Sequence, residues 1–404
     1  MKKIFLLSNT SFYGFILIVA FFHLWYFLEM MQVLPRISFK ILSSLIFFYI
    51  FILYFVKDLK QNLNIVTIII GIFIFYLILY NLIYHYNYTI LDRQTSTKIM
   101  YDNFRYIYAY IIYFFIGFYY KGYSSHSKII YILYAILTFN ALMFVDLNTY
   151  ALDTSIANLD LFGIYLFLGD TYAIFSILTI IITPSKKLQL LLFFISLPIL
   201  YILMSRTSLY VFVLTFIIYI FIVNKRLFFI STILLVGISI IIFISNTELI
   251  NQIINSRMLG FLFGKVDPSV NAREEYITIG LSGIMDHWYI GDFAGEVYYY
   301  GTTGKYIHSY LGLLRQYGII AFILFGVLVL FLLKEILLWV LQTKRHTVDY
   351  DVFIGLAIFM LMEIITSRAI YFPYVFFALG IVAGLYKDRS WTFKTSNVVC
   401  ALTK

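Results

Sequence analysis

Arginine is the residue type whose placement in this sequence most needs explaining. Arg206, Arg257, Arg273, Arg315 and Arg368 all fall on one side of the apolar runs, at their ends, just inside them or in a long connection on that side. A guanidinium is a planar, permanently charged fork of donors that matches phosphate bidentately, so arginines gathered beside a bilayer could hold a lipid-linked phosphate. The competing account is interfacial snorkelling, with the stem in lipid and the charge in water. Arg315 fits snorkelling least, because it lies about two helical turns inside its run, where charge is expensive and usually functional. Pairing with an acid would also account for it.

Arg273 opens the segment NAREEYITIGLSGIMDHWYIGD, whose spacing is compatible with a short amphipathic helix on the membrane. Glu274 and Glu275 could orient a sugar hydroxyl or an arginine, but NAREE also reads as a helix start, with Asn271 as cap and glutamates in the first turn. Capping is the preferred reading. His308 stands immediately before an apolar run. An imidazole with a pKa near 6.5 could accept a proton from an acceptor hydroxyl there, or simply sit at an interface.

Weaker signals lie within the runs: His23, Asp170 in LFLGDTYA, and Glu363 five residues before Arg368. Each could be a structural ion pair or hydrogen-bonded group, and a proton-coupled carrier would use such groups too. The 37 tyrosines and 42 phenylalanines suit aromatic belts and sugar-stacking surfaces equally, so they choose between neither.

The chain that must position these residues has 404 residues, 62% hydrophobic and 12% charged. Soluble domains carry roughly a quarter charged residues, so a soluble globular structure is excluded. Apolar runs of about twenty residues, each able to cross the hydrocarbon as a helix, fall near 4–25, 39–56, 65–84, 104–120, 129–145, 159–182, 188–204, 207–223, 228–245, 309–332, 351–366 and 370–386. The expected fold is therefore an all-α polytopic membrane protein of about twelve transmembrane helices, a single integral domain over 1–404. The MKKIFLL start has no small-residue cleavage site after it and reads as a retained first span. With both termini inside, 17 of the 29 basic residues face the cytoplasm and 15 of the 20 acids lie outside, as the positive-inside rule requires.

Between the ninth and tenth spans, residues 246–307 form a large outer loop, far longer than the usual connection of about 4–6 residues. It carries the densest ionisable cluster, including Arg257, Arg273, Glu274, Glu275, Asp292 and Glu296. Several function classes drop out. There is no GxxxxGK[ST], GxSxG, HExxH or GxGxxG motif; the lone Cys400 can form neither an intrachain disulfide nor a CxxC pair. No basic block interleaved with aromatics supports nucleic acid as a partner despite the net charge of +9.

Three stretches, MSRTSLYVF, NAREEYITIGLSGIMDHWYIGD and IHSYLGLLRQYGIIAFILF, together resemble the O-antigen polymerases and the related O-antigen ligases and other bacterial polysaccharide polymerases. The first has an SR turn opening a span. The second has an arginine, an apolar stretch and a DHP…G-like pattern, with Trp288 where the family often has proline. In the third, His308, Ser309, Leu311 and Gly318 match the family's histidine, small polar residue, leucine and glycine, one residue shorter than in the ligases.

This resemblance implies glycosyl transfer on the periplasmic face of the bacterial inner membrane, independent of metal, nucleotide or other cofactor. Undecaprenyl-pyrophosphate-linked oligosaccharides would be both donor and acceptor, with a chain-length regulator and a flippase of the same pathway as further partners. Arg206, Arg273 and His308 would be catalytic, the arginines stabilising the departing pyrophosphate and His308 taking the proton. Arg315, Arg257, Glu274 and Glu275 would bind substrate. A ligase acting on lipid A core is the nearest alternative. A flippase is the alternative from another class, although it should show repeated halves that this sequence lacks.

The charge partition makes a prediction about topology. A reporter active only in the periplasm should be active when inserted near Pro268, and one active only in the cytoplasm should be silent there. The reverse pattern would overturn both the orientation and the outward placement of the chemistry.

Overall fold

Within hydrocarbon a backbone N–H finds no water, so an apolar run must satisfy its own hydrogen bonds and folds as a helix. The computed structural model describes residues 2–21, 24, 39–87, 93–146, 151–152, 164–245, 268–301, 307, 309–342, 346–368 and 372–387. It is an all-α membrane protein. Each apolar run of the sequence coincides with a helix: α1 Lys2–Phe15, continued by a π-turn Ile16–Ala20, α2 Phe39–Lys57, α3 Ile65–Asn87, α4 Arg93–Phe118, α5 Ser127–Met143, α6 Ile164–Ile182, α7 Lys186–Ile202, α8 Arg206–Val223 and α9 Lys225–Ser245. After the segment between α9 and α12, which holds α10 Pro268–His287 and α11 Gly295–Tyr300, come α12 Leu311–Leu341, α13 Val348–Glu363 and α14 Tyr374–Lys387. Among the described residues, five helices are long and apolar enough to cross a membrane by length and composition alone. Two short strands, Val145–Asp146 and Ala151–Leu152, pair antiparallel.

Helices α6, α13 and α14 form the centre. Phe175, Phe353, Phe359, Phe377 and Val382 are all fully enclosed. Large apolar residues on α2, α3, α9 and α12, such as Tyr49, Phe75, Ile233 and Leu330, are exposed and form the surface presented to lipid.

The closest packing is between α4 and α14. A Cβ on Gly380 would strike the Phe114 carbonyl oxygen, and one on Gly117 the Phe377 carbonyl oxygen. Gly380 and Gly384 form a GxxxG step, the spacing that lets two helical backbones approach in a membrane, where dispersion and not the hydrophobic effect holds helices together. At the end away from α10 and α11, side-chain hydrogen bonds tie the helices. Trp339 Nε1 donates to Asp351 Oδ1 at 2.6 Å, Tyr350 Oη to Glu335 Oε2 at 2.9 Å and Ser124 Oγ to Asp349 Oδ2 at 3.0 Å.

Two sequence expectations need correction. The helix of the NAREE segment begins at Pro268, whose ring suits a first helical position, so Asn271 lies inside the helix and is not its cap. Glu274 and Glu275 are accordingly exposed side chains beyond the first turn. The tenth apolar run is also not one regular helix. Gly318 takes φ 74°, ψ −173°, a region open essentially to glycine alone, and splits α12 into a short first piece ending at Tyr317 and a long second one.

Because the obstacles at Gly380 are backbone atoms, Gly380→Val should cost at least the upper part of the usual overpacking range of about 1–3 kcal/mol. Thermal unfolding of the detergent-purified protein should show a clearly lowered midpoint. An unchanged midpoint would mean that α4 and α14 do not approach this closely.

Candidate functional site

The first of two polar clusters surrounds Arg368, which closes a π-turn (Ile364–Arg368) after α13. Its Nε donates to Asp170 Oδ2 at 3.0 Å and its Nη2 to Asp170 Oδ1 at 2.7 Å, the fork-to-fork geometry that makes arginine–carboxylate pairs strong. Nη2 also reaches Ser205 Oγ at 3.2 Å and Ser208 Oγ at 3.3 Å, and Nε lies 3.3 Å from Glu363 Oε2. The Ser208 hydroxyl donates to Asp170 as well. A left-handed residue, Met204 at φ 58°, turns the chain from α7 into α8 and delivers both serines. Gly169 leaves room for them, since a Cβ there would collide with Ser205. Arg206 opens α8 between the two serines, half-buried, with its charge reaching the Tyr210 phenol one turn on.

The second cluster is built on the break at Gly318. Gly291, at φ 95°, and the Tyr289–Ile290 backbone press directly against Gly318. Asp292 N then donates to the Arg315 carbonyl at 2.6 Å, and Tyr76 Oη to the Tyr317 carbonyl at 2.8 Å. These donors serve carbonyls whose helical partners the break removes. Arg315 is 3% exposed, and its Nη2 sits 3.6 Å from Asp292 Oδ2, an ion pair beyond hydrogen-bonding reach. Its Nε and Nη2 are buried and make no hydrogen bond. Beside it, Gln316 Nε2 donates to Asn103 Oδ1 at 3.4 Å, Asn103 Nδ2 to Asn81 Oδ1 at 2.8 Å and Asn81 Nδ2 to Tyr317 Oη at 3.4 Å. That chain joins α3, α4 and α12.

Helix α10 roofs this second cluster. A Cβ on Gly283 would come within 3.2 Å of Arg315 Nε and 3.3 Å of Asp292 Oδ2. Burial raises the Asp292 carboxyl above its ordinary pKa against the pull of Arg315, and burial pushes Glu296, in the first turn of α11, up to about 7. The Glu296 carboxyl feels Arg315 and Asp292 together. A small apolar cavity touches the elements of both clusters, lined by Leu313 and Phe325 of α12, Phe73 and Leu77 of α3, Tyr110 of α4, and Ile364, Phe372, Val375 and Phe376.

The residues singled out from the sequence are thus distributed unevenly. Arg315 lies in the second cluster and Arg206 borders the first. Arg273 is half-buried on α10, two turns before Gly280, and seven residues bring it back to the same helix face. Glu274 and Glu275 are exposed. His308 and Arg257 lie outside the described residues. Asp170, Glu363 and Arg368, which read as separate weak signals, form one network. Asp292 and Glu296 were visible only as members of a charged loop, Ser205 only as the serine of the SR turn, and Ser208, Asn81 and Asn103 carried no sequence signal beyond being polar within apolar runs. No group of three or more histidine, cysteine or acidic residues among the described residues could hold a metal ion. No family model matches the chain, and no curated protein matches it.

Removing the cation from the first cluster leaves Asp170 and Glu363 near each other with only serine hydroxyls to offset them. Arg368→Ala should therefore destabilise the protein by about 3–5 kcal/mol, the usual result of leaving a buried charge uncompensated. Adding Asp170→Asn and Glu363→Gln should recover part of the loss, seen as a partial return of the thermal midpoint. A triple variant as unstable as the single one would place the cost in packing instead.

Proposed function

We propose that this chain is an O-antigen, or surface polysaccharide, polymerase. In this reading twelve helices cross the inner membrane with both termini in the cytoplasm, and the two clusters face the periplasm. The observation that supports it best is the enclosed Arg315, whose Nε and Nη2 make no hydrogen bond.

The reaction joins undecaprenyl-pyrophosphate-linked oligosaccharides. The bond from the anomeric carbon of the growing glycan to pyrophosphate breaks, and a hydroxyl of the next lipid-linked unit takes its place with inversion. Negative charge develops on the departing pyrophosphate, and donors already in place at that position lower the barrier. Arg206, Arg273 and Arg315 supply these donors, with Arg257 as a further phosphate contact. The second need is removal of the acceptor proton. The sequence suggests His308 for this, with Glu274 or Glu275 as orienting group or alternate base. The reaction calls for neither metal nor nucleotide, and a chain-length regulator and a flippase are the expected partners.

A carrier for the lipid-linked unit is the second reading, supported by the enclosed Asp170–Arg368–Glu363 network, since intramembrane ionisable groups serve proton relays as well as sites. The surface-glycan ladder of a deletion strain separates the readings. Single repeat units on the core support a polymerase, whereas bare core supports a ligase or a carrier.

Within the polymerase reading, Arg206→Ala, Arg273→Ala and Arg315→Ala should each abolish long glycan at normal protein level. Loss of one such donor typically costs about 10²–10³ in kcat. Lysine at the same positions keeps the charge without the fork and should restore only part of the ladder. Full-length ladders from all three alanine variants would return these arginines to snorkelling.

A further inference from the structure

Arg315 has 3% of its surface exposed, yet its Nε and Nη2 make no hydrogen bond. A phosphate can reach those donors only where the cover over them lifts. The backbone around the Gly318 break is not such a cover. It is pinned by Asp292 N on the Arg315 carbonyl, by Tyr76 Oη on the Tyr317 carbonyl and by Gly291 against Gly318.

The cover that α10 supplies is of a different kind, because it meets the arginine through glycine. A Cβ on Gly283 would lie 3.2 Å from Arg315 Nε and 3.3 Å from Asp292 Oδ2. One on Gly280 would lie 3.7 Å from Arg315 Cδ and would strike the Ile307 side chain. Three residues apart, the two glycines share a helix face, and both are buried. Such a face seats closely and gives the guanidinium no hydrogen bond, so lifting α10 frees Nε and Nη2 without breaking one. A flank of the helix, Ile277, Leu281 and Met285 at successive turns, is exposed among the described residues, so no helix there holds α10 down. At its end α10 runs into the pinned turn over 289–295, where Gly291 N donates to the His287 carbonyl at 2.7 Å. That turn is a fixed pivot.

We infer that α10 is a lid over a phosphate site at Arg315, seated in this structure and lifted when the pyrophosphate of a lipid-linked glycan binds. The inference rests on the polymerase reading, which brings that phosphate to Arg315. A backbone as close as Gly283 leaves no room for a phosphate between itself and Nε, so binding there requires the movement. With the lid seated, Asp292 at 3.6 Å balances the enclosed charge without engaging those donors. With it lifted, the phosphate takes the forked contact that arginine makes best.

The test uses the full-length protein in lipid nanodiscs, with its lone Cys400 replaced by serine. Since a Cβ at position 280 strikes the Ile307 side chain, Gly280→Cys with Ile307→Cys sets two Cβ atoms within about 4 Å, the span of a disulfide. Oxidation should cross-link the pair and abolish extension of lipid-linked repeat units, and reductant should restore it. Either substitution alone should be insensitive to oxidant. A cross-linked protein that extends glycan as fast as its reduced form overturns the inference, as does a pair that does not cross-link.

A second measurement leaves the packed face unchanged. Spin labels on Met285→Cys and Leu330→Cys, both exposed, report the distance between α10 and α12. Undecaprenyl pyrophosphate should shift that distance, and Arg315→Ala should remove the shift. An unchanged distance at saturating lipid, or a shift that survives Arg315→Ala, overturns the lid whether or not glycan is made. A wild-type protein that shows the shift and extends no glycan loses the polymerase reading and keeps the lid.

Discussion

A guanidinium keeps its charge at every pH a cell meets, so a chain that encloses Arg368 among helices must bring acceptors to it. Much of the arrangement around the central helices follows from that requirement. Asp170 is supplied by α6, Glu363 by the preceding turn of the same helix, and the two serines by the entry to α8. The chain reverses through a left-handed Met204 to present those serines, a conformation that costs a non-glycine residue of the order of 1–3 kcal/mol. Gly169 has no side chain where Ser205 must approach. Separate helices are thereby fixed at one depth by a single ion.

The two enclosed arginines are in opposite conditions. Arg368 is saturated by a bidentate carboxylate, a second acid and two hydroxyls, which suits a group that holds helices together. Arg315 has one carboxylate at 3.6 Å and unengaged nitrogens. An interior rarely leaves such donors unmatched without a use. Hydrogen bonds to the Arg315 and Tyr317 carbonyls brace the backbone of that segment from two sides, so its position is fixed while Nε and Nη2 make no hydrogen bond. That contrast is why function is assigned to the second cluster and cohesion to the first.

The helices were legible because apolar length is a one-dimensional property, and every apolar run from 4–25 to 370–386 has its helix. Arg315 was legible because a charge within such a run is conspicuous. Its partners were not. Asp292 and Glu296 become neighbours of Arg315 only through the backbone contact of Gly291 with Gly318, and nothing local in WYIGD announces that contact. Asp170 and Arg368 are 198 residues apart and meet by tertiary packing alone. The reading of Asn271 as a cap gave way to a competing start signal, Pro268, three residues earlier. The GxxxG step of α14 is a local pattern, and its use against Gly117 appears only once both helices are placed.

The break at Gly318 limits how this chain can vary in length. Between Tyr289 and Gly295 the chain is tied to α12 at several points: Tyr289, Ile290 and Gly291 against Gly318 and Asp292 on the Arg315 carbonyl, with Gly295 against the Asp292 carboxylate. Inserting or deleting one residue there would shift every later tie out of register and carry Glu296 away from Arg315. The exposed face of α10 carries no such ties at Glu274, Glu275 or Met285. Loop grafts and affinity tags therefore belong before Tyr289, and natural drift in loop length should stop at that residue.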